Sequence, residues 1–125
     1  LERQLAVRAD RQWFYAHPSV LGRLESDVRA VRSGISASAE HEVDLVVLGQ
    51  MEGYVRSGVV DDLIAEYGLK GAAERPNVLL RVVDAIVWPF GEGERVAGRS
   101  VVGMDLLDAD DPRARRAGYG LVETP

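Results

Sequence analysis

The hydrophobic positions of the chain fall into short periodic blocks separated by Gly, Pro and Asp. Over residues 1 to 16, Leu1, Leu5, Ala9 and Trp13 recur every fourth position and predict a helix ending in Trp13-Phe14-Tyr15. His17-Pro18 breaks it, because a residue before proline avoids the α region. Pro18 is then well placed to open a second helix. In residues 18 to 33, Val20, Leu21, Leu24, Val28 and Val31 share one face, and Ser33-Gly34 ends the segment.

The next block, ISASAEHEVDLVVLGQ, fits two readings. Val43, Val47, Met51, Tyr54 and Val55 suit a helix, whereas the β-branched run from Val43 to Leu48 suits a buried strand. We read a strand, with a short second extended piece near Gly53 to Arg56. VVDDLIAEYGLK predicts a short helix stopped at Gly68. PNVLLRVVDAIVW predicts a strand from Val78 to Val83, interrupted by the charge of Arg81. WPFGEGERVAG reads as a loop, SVVGMDLLDA as a short helix and DPRARRAGYGLVE as another. The expected fold class is α+β: a small sheet of two to four strands packed with N-terminal and C-terminal helices. The 125 residues suit one domain. A chain that starts at Leu1 rather than methionine is expected to be a fragment or processed product of a longer one.

Composition narrows the function classes. No apolar run approaches a membrane span, so no membrane partner is expected. The absence of cysteine excludes disulfides, thiolate catalysis and Cys-based zinc sites. With no apolar leader at the start of the chain, a cytoplasmic location is expected. A net charge of -5 disfavours nonspecific nucleic-acid binding, which needs clustered cations. Lys70 is the only lysine among 15 Lys and Arg residues, a bias characteristic of GC-rich bacterial coding.

Few residues suggest chemistry. Asp111-Pro112 has the form of a helix start, with aspartate as cap and proline at the first helical position. The neighbouring Asp105, Asp108 and Asp110 and Arg113, Arg115 and Arg116 read as the solvated end of one helix and start of the next. His17 and His41 lack metal-ligand spacing, and no nucleophile lies in a G-x-S-x-G setting. EHEVD offers more. On a strand, Glu42 and Asp44 share a face, as in the acidic pair of the nucleotidyltransferase superfamily, which this stretch resembles. That resemblance implies an enzyme using magnesium and a nucleoside triphosphate, with Asp84 as third acid and Gly34-Ile35-Ser36 as the turn. Here Glu42 stands where the family has aspartate, and the glycine and serine are not adjacent. The aromatics Trp13, Trp88 and Phe90 are candidate partner-binding anchors. A third alternative is a small-ligand sensor with a pocket lined by Trp13, Tyr15 and Trp88.

RPNVLLRVVD, WPF and VVGMDLLDADDPRARRAG, over roughly residues 59 to 121, resemble the C-terminal part of actinobacterial winged-helix regulators. Antitoxin-repressors of type IV toxin–antitoxin systems show a similar pattern, and HPSVLGRLESDVRAV fits it as well. The resemblance implies a noncatalytic regulatory or protein-interaction domain, with a protein partner or a homodimer and no cofactor. In that family DNA is read by an N-terminal winged helix. No basic recognition helix precedes residue 17, so DNA is expected only through a module not present in this chain.

Overall fold

The computed structural model describes residues 9–37, 49–109 and 111–123. A central mixed sheet runs in the order β2-β3-β5-β1-β4. Its strands are β1 (Asp10–Tyr15), β2 (Val31–Arg32), β3 (Met51–Arg56), β4 (Lys70–Gly71) and β5 (Val78–Val83). Helices α1 (Pro18–Glu25) and α2 (Val60–Tyr67) cover one face. Helices α3 (Arg99–Leu107) and α4 (Pro112–Glu123) cover the other. The fold is α+β, and the sheet has five strands rather than the expected two to four.

β5 is the spine of the sheet. All six of its residues are buried, which is why VLLRVV reads as a nearly unbroken apolar run. It pairs in parallel with β3 and antiparallel with β1. A parallel pair needs a crossover, and α2 supplies it. Gly68, in the left-handed region at φ 65°, ends α2 where the sequence predicts. Alternation along the strands then sorts the two cores. Met51, Val55, Val78, Leu80 and Phe14 pack under α1 and α2 with Leu24 and Leu63. Tyr54 and Val83 pack under α3 and α4 with Val102, Leu106, Ala114 and Leu121.

Two expectations are corrected. Residues 10 to 15 form a central strand, not the end of a helix. Three consecutive aromatics favour the pleated surface of a sheet, and pairing with β5 along Asp10 to Phe14 outweighs the fourfold recurrence. Within residues 18 to 33, the helix stops at Glu25. The chain turns through Asp27 and re-enters the sheet at Val31–Arg32. Asp27 accepts from the Arg29 backbone N–H at 2.9 Å, a local bond that competes with continued helix. The C-terminal helices form as expected. Asp111 accepts from the Arg113 backbone N–H at 2.9 Å, and α4 starts at Pro112. α3 and α4 cross with backbones touching at Gly103 and Gly118, where a Cβ on Gly118 would lie 2.6 Å from the Gly103 carbonyl oxygen.

Candidate functional site

On the face covered by α3, the sheet carries a polar group inside its apolar core. β3 places Glu52 and Tyr54 on that face, two residues apart. The β3–β5 register sets Tyr54 beside Arg81, and the β1–β5 register sets Arg11 opposite Arg81. α3 lowers Asp105 onto them, one residue from buried Leu106, and Ser33 joins from the end of β2.

Arg81 is the centre of this group. Its side chain is 6% exposed, and its Nε and Nη2 each lie 2.9 Å from Glu52 Oε2. Nη1 lies 3.5 Å from Asp105 Oδ1, and Nη2 lies 3.7 Å from Asp108 Oδ2. Asp105 also accepts from the Ser33 hydroxyl and from the Tyr54 hydroxyl, the latter at 3.0 Å. Arg11 donates to Asp108 Oδ2 at 2.8 Å. Among the described residues, every buried side-chain N and O atom has a hydrogen-bond partner.

Burial governs the protonation of this set. It pushes the Asp105 carboxyl above the usual carboxylate range, despite Arg81, Ser33 and Tyr54. It also pushes the Tyr54 phenol well up, with the Asp105 charge adding to the effect. For Arg81, burial opposes the charge, but Asp105 and Glu52 outweigh it and raise the pKa. Gly34 makes room for Glu52: it has φ 53°, and a Cβ there would lie 2.1 Å from Glu52 Oε1.

A cleft opens beside the group, between β1, β5 and the α3–α4 junction. One lobe, about 500 Å³, is lined by Ala9, Arg11, Arg81, Met104, Asp105, Leu107 and Asp108. An adjoining lobe of about 320 Å³ shares Arg11, Arg81, Asp105 and Asp108 and adds Trp13, Glu52 and Asp111. Trp13 is 52% exposed there.

The sequence candidates land in separate places. Glu42, Asp44 and His41 lie outside the described residues. Asp84 caps a 3-10 turn, accepting from the Ile86 backbone N–H at 3.0 Å, and is exposed. His17 caps α1 by accepting from the Ser19 backbone N–H at 3.1 Å. Trp88 and Phe90 are half-buried, with ring centroids 5.1 Å apart. Phe90 packs on Tyr54 at 5.2 Å, and the Arg56 guanidinium stacks over Trp88 at 4.4 Å. Of the ligand-pocket trio, Trp13 lines the cleft, whereas Tyr15 and Trp88 do not. Sequence reasoning missed Ser33, Glu52, Tyr54 and, most centrally, Asp105. Read as a solvated charge, it is 3% exposed and central to the network. Its signal was Arg81: a cation inside an otherwise apolar central strand needs a buried carboxylate partner. The chain was compared with protein-family models, with curated proteins and with solved structures, and it matches none of them.

Proposed function

We propose that this is a noncatalytic interaction domain of a bacterial regulator, acting through contact with another protein chain. The observation that carries this reading is the turn after β5. Ile86 is 91% exposed, Val87 stands beside it, and the turn is fixed by the Asp84 cap and by Trp88 and Phe90 rooted on Tyr54. A large aliphatic side chain held in water on an anchored turn suits a contact point. The resemblance to winged-helix regulators and antitoxin-repressors supports the same reading, with DNA contacted through a separate module. The experiment is light scattering on the purified chain together with affinity capture, comparing wild type with Ile86→Asp. Self-association or a captured partner that weakens in the variant supports the reading. A monomer without a partner in both proteins removes it.

A second reading, a small-ligand sensor, is favoured by the cleft beside Trp13, Arg11 and Arg81. The magnesium–nucleotide enzyme rests on Glu42 and Asp44, which lie outside the described residues, and on Asp84, which is exposed after β5. Calorimetry with magnesium and a nucleoside triphosphate is its direct test.

A further inference from the structure

The register of the sheet creates an electrostatic conflict. Arg11 and Arg81 stand opposite each other on neighbouring antiparallel strands, and both line the larger lobe of the cleft. Like charges in that position repel unless an anion lies between them. Asp108 supplies it: its Oδ2 is 2.8 Å from Arg11 Nη1 and 3.7 Å from Arg81 Nη2. Asp108 is an awkward donor of that charge. It is the C-terminal cap of α3, where the helix dipole disfavours a carboxylate. Its side chain is half exposed, and the buried Asp105 is nearby. Arg81 is only loosely satisfied on this side, because 3.5 Å to Asp105 and 3.7 Å to Asp108 exceed ordinary hydrogen-bond lengths.

We infer that the Arg11–Arg81 pair is a binding site for a small oxyanion, a carboxylate or phosphate group, and that the Asp108 carboxylate stands where the ligand's would. The ligand displaces Asp108 from both guanidinium groups and gains charge-assisted hydrogen bonds in return. The other acids of the cleft do not block it. Glu52 is engaged from within by Arg81 Nε and Nη2. Asp111 faces Arg113, through its backbone N–H and an ion pair at 3.6 Å. Asp105 is engaged from within at both oxygens, by the Ser33 and Tyr54 hydroxyls. Met104 and Leu107 give the ligand an apolar wall, and Trp13 lies in the adjoining lobe.

The inference rests on the small-ligand reading of the cleft and names the class of ligand. The test is calorimetry at fixed ionic strength with malonate and with inorganic phosphate, on wild type, Asp108→Ala and Asp108→Ala/Arg11→Gln. Removing the internal carboxylate is expected to tighten anion binding about tenfold, the worth of one charge-assisted bond. Arg11→Gln is expected to abolish that gain. Whichever of malonate or phosphate gains more identifies the headgroup. A wild type and Asp108→Ala that bind both anions equally, or a gain that survives Arg11→Gln, overturns the inference. Trp13 fluorescence in a Trp88→Phe background separates the two levels. A response to uncharged or cationic ligands alone overturns the oxyanion class but keeps the cleft reading, and silence to every ligand removes both.

Discussion

The protein carries two Asp–Arg–Tyr clusters, one where α1 and α2 end and one on the sheet under α3, and the two behave in opposite ways. In the turn after α1, Asp27 accepts from Arg29 Nε at 2.8 Å and Nη2 at 2.7 Å, and from the Tyr67 hydroxyl at 2.6 Å. Glu66 takes a further bond from Arg29 at 3.1 Å. Under α3, Asp105 meets Arg81 and Tyr54 in a deeper setting. The Arg29 hydrogen bonds hold Asp27 far below the usual carboxylate range, whereas burial lifts Asp105 above it. The outcomes differ for two reasons. Arg29 gives Asp27 two short bonds, but Arg81 gives its short contacts to Glu52 and leaves Asp105 at 3.5 Å. Arg29 is also 29% exposed, against 6% for Arg81 in its cleft. An ion pair therefore takes its character from its surroundings and its competitors more than from its residue types.

The largest test of this contrast is the pair Arg81→Met and Arg29→Met. The first leaves Glu52 and Asp105 buried without their cation and is expected to cost about 3–5 kcal/mol. The second takes two short bonds from the Asp27 carboxylate, which is 8% exposed but keeps the Tyr67 hydroxyl, and is expected to cost less, about 1.5–3 kcal/mol. Urea denaturation of both variants decides it, and equal losses would remove burial as the cause. Gly34→Ala follows, at about 3 kcal/mol, the upper part of the usual range for one substitution. Its methyl group would displace the Glu52 carboxylate from its place beside Arg81. Replacing Tyr54 with Phe takes a buried bond from Asp105 and is expected to cost about 1–3 kcal/mol. Tyr67→Phe, near the surface, is expected to cost about 1 kcal/mol. Thermal melts rank the two.

The pH dependence is the smallest effect and the most discriminating. Asp27 has a lowered folded pKa, so its contribution is present above the ordinary carboxylate range and is lost as pH falls below it. Asp105 has a raised folded pKa. Its contribution is full below the ordinary aspartate pKa and is lost as pH rises from there through the raised value. Stability measured by denaturant across the acid range should respond accordingly. Asp27→Asn flattens the acid-side loss, and Asp105→Asn flattens the decline on the rising side. The same change in both variants would show that the two clusters do not differ in this way. The Tyr67 phenol, pushed up to about 12 by burial and by Asp27, stays neutral throughout.

Much of this fold was legible in the chain. α2 with its glycine stop, the buried strand β5, and α3 and α4 with the Asp-Pro start all follow local rules. The misses have physical causes. β2 and β4 have two residues each, too few to show a period. β1 lies in a segment whose fourfold recurrence mimics a helix, and only its pairing with β5 decides the matter. β3 showed only in part, because its polar alternates Glu52 and Tyr54 face inward. The candidate site was the least legible. Ser33, Glu52, Arg81 and Asp105 come from four separate segments, and no local pattern says that they meet. Arg81, a charge within VLLRVV, was the one visible clue.

The contact between Gly103 and Gly118 has a mechanical consequence. Leu106, Leu121 and Val122 close around the touching backbones, so one helix cannot slide past the other without a clash. α3 and α4 are therefore locked together as one wall over the sheet. Asp108 and Asp111 lie at its elbow, on the rim of the cleft.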